Sequence, residues 1–307
     1  MSRGNALRLA LLALIWGSGF LWIKLALDGF TPVQLVLFRL LLGVAVLAPI
    51  ALLRRMPFPT RRGIWAHLVV AALFANAIPY TLVGFGEQTV GSNVAGVLNA
   101  TTPLWTVLVA VLAGTDRAVS LRRGMGIALG FAGTVLIFTP WESAGDIASW
   151  GGLACLAAAA SYGVSFVYMG RYLTGRGIPP MVLAACQLAA GAVLLTLALP
   201  FGGLTAPTWG VVPVGSLLLL GTVGTGLAYV LNYRLIDDLG STVASTTTYL
   251  LPVVALFLGA LALHEPVTLP TLTGTALVLT ATSLIQNHPK HPVDHEVNDT
   301  VEAENPR

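Results

Sequence analysis

Two formal charges, Lys24 and Arg39, fall inside long apolar runs. At the middle of a lipid-embedded helix such a residue costs roughly 2.5–3.5 kcal/mol on insertion scales, so a functional or paired role is its default. Asp28 follows Lys24 by four residues, and Glu87 closes the third apolar run. Lys24, Arg39 and Glu87 are therefore candidates for a gate or an anion contact. The plainer alternative is that the two cations snorkel to the nearer interface and pair with Asp28 or Glu87. No acid falls at the middle of a run, so the sequence gives proton coupling no support.

Uncharged polar residues form stripes. The third run has Asn76, Tyr80 and Glu87, the fourth Asn99, Thr102 and Thr106, the sixth Ser161, Ser165, Tyr168 and Tyr172. The eighth has Thr222, Thr225, Tyr229 and Asn232, and the ninth Ser241, Ser245 and Thr248. Helical spacing places each set on one face. Any single Ser or Thr is explained by helix–helix hydrogen bonding at about 0.6 kcal/mol per contact. Five stripes in matching positions point instead to a central cavity. Nearest its middle stand Trp16, Asn76, Tyr80, Asn99, Tyr162, Tyr229 and Tyr249, with Trp105 and Gln187 as weaker candidates. That lining suits a neutral, zwitterionic or aromatic solute better than a polyanion. Pro103 and Pro252 sit within the fourth and ninth runs, either as hinges or as static kinks.

Catalytic and metal chemistry lacks its residues. Cys155 and Cys186 stand alone in apolar runs, and no nucleophile–base pair, carboxylate pair or His/Cys cluster appears in the spans. No enzyme activity, metal or cofactor is expected. His288, His291 and His295 lie in a polar tail that reads as solvated rather than metal-binding. Basic patches with interleaved aromatics are missing, which excludes nucleic acid as a partner. The expected partners are a small-molecule solute and the lipid bilayer, with the chain a monomer or homodimer.

The elements that position these residues follow from composition. Of 307 residues, 56% are hydrophobic and 9% charged, against about 25% charged in soluble domains. Mean hydropathy is +0.82. Lipid must therefore be the solvent for much of the surface. Runs near 20 residues fit helices rather than the roughly 10-residue alternating strands of a barrel. Spans are expected at 7–27, 32–53, 66–86, 93–113, 124–141, 150–172, 181–200, 211–233, 243–263 and 267–286. Placing the N-terminus in the cytoplasm puts Arg54, Arg55, Arg61, Arg62, Arg117, Arg122, Arg123, Arg171, Arg176 and Arg234 on that side and leaves the outer loops without Lys or Arg. The outer loops hold Asp28, Glu87, Glu142, Asp146 and Glu265 instead.

The chain also repeats itself. Gly91-Ser92-Asn93-Val94-Ala95 matches Gly240-Ser241-Thr242-Val243-Ala244, and the same offset pairs Tyr80 with Tyr229 and Pro103 with Pro252. Trp16, Gly17 and Phe20 align with Tyr162, Gly163 and Phe166, and Pro32, Leu40 and Gly43 with Pro180, Leu188 and Gly191. Gly126, Ala128 and Thr134 align with Gly274, Ala276 and Thr282. The expected fold is thus an all-α membrane protein of ten transmembrane helices in two inverted five-helix repeats, 1–141 and 142–286, with 287–307 a disordered cytoplasmic tail. An odd number of spans per copy inverts the second, and inverted repeats around a midplane site are a transporter signature. A channel, the competing reading, would need a continuous polar path.

Trp16-Gly17-Ser18-Gly19-Phe20 with Lys24, Pro32 and Phe38-Arg39, then Glu87-Gln88 through Ala95, Pro103 and Leu250-Leu251-Pro252, resemble the EamA-type transporters of the drug/metabolite transporter superfamily. The likeness runs over residues 7–286, and Thr115-Asp116 stands where that family often has Gly-Glu. It implies a carrier of the cytoplasmic membrane, exporting amino acids or related metabolites, or drugs. A nucleotide-sugar carrier is disfavoured because the cavity candidates lack a basic cluster. Because Lys24 and Arg39 belong to the likeness regardless of solute, solute choice is not expected to rest on them.

Overall fold

Helices form because, with so little charge on the chain, backbone groups in lipid must pair within their own segment. The computed structural model describes residues 2–90, 92–115, 120–138, 141, 149–201, 203–251, 253–254 and 269–286. The described residues are almost wholly helical and contain no strand. Pro252, Glu142, Asp146, Glu265 and the histidine tail lie outside them.

Helix α1 spans Arg3–Leu27 and α2 Pro32–Leu53. Between them Thr31 and Gln34 form a reciprocal cap, and Pro32 occupies the first turn, where its missing N–H costs nothing. The third apolar run is α3, Arg62–Ala72, a π-helical stretch Leu73–Ala77, and α4, Ile78–Gly86. The fourth breaks into α5, Ser92–Asn99, and α6, Thr102–Leu112. Then come α7, Leu121–Phe138, α8, Trp150–Tyr172, and α9, Pro180–Ala198. The eighth run is α10, Val211–Leu219, a π-helical stretch Leu220–Leu227, and α11, Ala228–Leu239. A short α12, Ser241–Ser245, precedes helical backbone at 247–251, and α13 covers Leu269–Gln286.

Among the described residues, seven helical stretches are long and apolar enough to cross a bilayer, and two shorter apolar stretches, Gly124–Ile137 and Leu272–Thr282, fall in α7 and α13. The ninth expected span, 243–263, lies partly outside the described residues.

The largest core cluster joins α1, α2, α3, α8, α9 and α11 through side chains such as Leu12, Leu35, Leu40, Leu188 and Tyr233. α2 packs on α9, and both approach the π stretches closely. A Cβ on Gly43 would lie 3.4 Å from Gly221 O, and one on Gly191 3.5 Å from the Asn76 side chain. Helices α7 and α13 form a second unit. A Cβ on Gly133 would stand 2.7 Å from Gly274 O, and one on Gly274 2.6 Å from Gly133 O. Only glycine permits that backbone approach.

At the ends where the sequence reading puts the cytoplasm, Arg8 binds Asp238 at 2.7 Å and Arg171 donates to Ala113 O at 2.7 Å. Arg8–Asp238 is the single ion pair among the described residues.

Candidate functional site

Pro79 has no N–H to give the carbonyls of Phe74 and Ala75, one turn back in the π-helical stretch of the third run, and side chains of other helices take them. Ser161 Oγ donates to Phe74 O at 2.7 Å, and Tyr229 Oη to Ala75 O at 2.7 Å. Asn76, fully buried, donates through Nδ2 to Tyr229 Oη at 2.7 Å and accepts from Gln187 Nε2 at 2.8 Å. Tyr233 Oη donates to Gln187 Oε1, closing the network on the far side. Tyr80 Oη lies 3.5 Å from Tyr229 Oη.

Arg39 takes the corresponding place at the other π stretch. Its Nε donates to Thr225 Oγ1 at 2.9 Å, and its guanidinium lies 4.1 Å from the centre of the Tyr80 ring. A cation over an aromatic face gains roughly 0.5–2 kcal/mol, more as water is removed. Arg39 and Gln187 occupy matching positions of the two copies, since Leu40 aligns with Leu188, and Thr225 likewise matches Asn76. Each copy's second helix therefore sends one long polar side chain into the widened helix of the other copy.

Beside this layer lies a cavity of about 100 Å³. Trp16, Arg39, Tyr80, Asn99, Tyr162, Tyr229 and Asn232 line it, with Ile23, Leu35, Val83 and Phe166 supplying apolar wall. The rings pair across the copies. Trp16 meets Tyr229 edge-on at 6.5 Å and 68°, and Tyr162 meets Tyr80 at 6.3 Å and 64°. The sequence repeat aligns Trp16 with Tyr162 and Tyr80 with Tyr229, so the two pairs are equivalent.

Of the residues expected at the middle, Trp16, Tyr80, Asn99, Tyr162 and Tyr229 face this cavity. Asn76 sits directly behind it in the network. Tyr249 points elsewhere: its hydroxyl donates to Ile127 O at 2.9 Å and its ring packs on Gly130. Its neighbours Thr248 and Leu251 line the cavity instead. Trp105 turns back to Thr101, to which its Nε1 donates at 3.2 Å.

Pro103 lies in the first turn of α6, just past a break at Ala100–Thr101, where a proline removes no helical bond. Thr101 and Thr102 hydroxyls donate to the carbonyls of Leu98 and Asn99 at that break, each at 2.6 Å. Its partner Pro252 lies outside the described residues.

Lys24 is exposed near the C-terminal end of α1, where a cation suits the helix dipole. Glu87 ends α4 with both carboxylate oxygens buried and unpartnered. Arg39 pairs with neither Asp28 nor Glu87, contrary to the interfacial alternative. Asn232, Ser165 and Thr248 are lining residues that sequence reasoning left in stripes rather than at the centre, and Asn232 is the one with a buried, unpartnered side-chain oxygen. The spacing of Asn232 from Thr225 and Tyr229 on one face is the signal that would have found it.

The profile of the EamA-like transporter family matches the chain twice, over residues 5–139 and 149–286. The chain belongs to that family. Similar proteins include the uncharacterized transporter YvbV of Bacillus subtilis, 28% identical over 93% of this chain and 92% of the relative. The uncharacterized inner membrane transporter YedA of Escherichia coli K12 is 31% identical over 81% and 79%. A crystal structure with 20% identity superposes with a TM-score of 0.73 over 92% of this chain and 96% of its own, a likeness of fold. This EamA-like chain is thus a multi-pass membrane transporter. No group of three or more potential metal ligands occurs among its described residues.

Proposed function

We propose that this protein is a secondary transporter of the cytoplasmic membrane that works by alternating access and exports amino acids or related metabolites. Two inverted five-helix repeats, 1–141 and 142–286, form its ten crossings, with both termini in the cytoplasm. The observation that carries the reading is the cavity lined by equivalent ring pairs, Trp16–Tyr229 and Tyr162–Tyr80, each with one ring from either copy. Rocking one copy against the other would open such a cavity to alternate sides. The double family match and the crosswise bonds of Arg39 and Gln187 support the same arrangement.

A drug-efflux carrier is the second reading, favoured by the largely apolar and aromatic wall. Counterflow in liposomes separates the two. Saturable exchange of labelled leucine or phenylalanine is the expected result. Flux of a lipophilic cation without flux of either amino acid would favour efflux, and conductance without saturation would favour a channel.

A further inference from the structure

The cavity holds three polar groups that its own walls do not satisfy. Arg39 is 5% exposed, and its Nε–H is its one hydrogen bond among the described residues. A guanidinium carries five N–H donors in a planar fork, so its outer nitrogens are unspent. No carboxylate among the described residues is in ion-pair contact with it. Asn99 and Asn232 line the same cavity, and the side-chain oxygen of each is buried without a donor. Buried acceptors without donors, and a buried guanidinium whose outer N–H donors touch no carboxylate, cost free energy until a ligand completes them; the buried Glu87 carboxylate acts on Arg39 through space and not by contact.

We infer that the cavity recognises a zwitterion by both poles, the carboxylate on Arg39 and the amino group on the side-chain oxygens of Asn232 and Asn99. The inference rests on the transport reading above and deepens it. Thr225, Tyr229 and Asn232 share one face of the eighth run. Thr225 marks the level of the guanidinium, and Asn232 lies about 10 Å further along the axis at 1.5 Å per residue. A small solute with a hydrogen bond at each end spans that distance. Trp16, Tyr162 and Phe166 then face its apolar part. A lipophilic cation would meet the guanidinium as a like charge, and a polyanion would bring no donor to the two carbonyls. Arg39 in this role reads a carboxylate common to many solutes, while their identity is read by the apolar wall.

The test uses the full chain, purified and then reconstituted in liposomes. Leucine and phenylalanine are each compared with the methyl ester, which lacks the anion, and the N-acetyl form, which lacks the ammonium. The amino acids are expected to raise the melting temperature, with each derivative binding at least about tenfold more weakly. Arg39→Gln erases the preference over the ester and keeps that over the N-acetyl form; Asn232→Leu does the reverse. Arg39→Lys, which keeps the charge and loses the fork, retains part of the preference over the ester. Equal binding of amino acid and derivatives by the wild type overturns the assignment, as does absence of binding or an unchanged preference in Arg39→Gln. The wild-type comparison decides even where a variant does not fold. Pole-dependent binding without flux would sink the transport reading and leave the site standing. Equal flux of amino acid and ester would do the opposite.

Discussion

Glu87 ends its helix with both carboxylate oxygens buried and without a hydrogen bond, while Arg39, which on one reading would pair with it or with Asp28, turns onto Tyr80 and Thr225. Replacing an unpaired buried polar group by an apolar one of like size is neutral or stabilising. Glu87→Leu should therefore hold or raise stability, by up to about 2 kcal/mol, seen as a melting temperature in detergent no lower than the wild type's. A clear fall would mean that the carboxylate is held by a partner after all. The central rings were legible because tyrosine and tryptophan recur at repeat-related positions in a chain poor in polar groups. Tyr249 was not: Thr248 beside it faces the cavity while Tyr249 faces Gly130, and adjacent helical residues diverge by about 100°. Arg39 was legible as a candidate anion contact, but its protein partners were not. Its inward partners, a ring and a hydroxyl, are uncharged, and charge matching alone points outward to the acids.

Among the elements, α7 and α13 cross backbone against backbone at Gly133 and Gly274. Gly274→Val would drive a side chain into Gly133 O and Ile137, and overpacking of this kind costs about 1–3 kcal/mol. Gly215→Val meets open space and serves as the control. A lower melting temperature for the first and not the second is expected; equal values would mean that the two helices separate freely. Helix positions were readable from hydropathy, and α2 and α8 follow the expected bounds closely. The π-helical stretches were not, because widening a helix needs no particular residue type and leaves no periodic mark. Yet Leu73–Ala77, moved by the repeat offset of Tyr80 and Tyr229, falls inside Leu220–Leu227. Both copies thus widen at the same place, next to the side chains that bind across.

At the scale of the whole molecule, contacts at the centre run between the copies: Trp16 to Tyr229, Tyr80 to Tyr162, Arg39 to Thr225 and Gln187 to Asn76. Neither copy alone can complete them. Residues 1–141 and 142–286 made as two chains should co-purify and bind solute, while either alone should aggregate or be degraded. Stable, monodisperse single copies would count against the arrangement. At these crossing contacts the residues differ in type, but only one difference is of charge: Arg39 is charged and Gln187 is not. A carrier with interchangeable copies would run equally well in either direction. A charge that shifts its depth between the two states feels the membrane voltage, at about 2.3 kcal/mol per charge per 100 mV for a full crossing. Flux in vesicles held at opposite potentials should therefore differ, and Arg39→Gln should bring the two rates together. The arginine would then act as a rectifier, giving a nearly two-fold molecule a preferred direction.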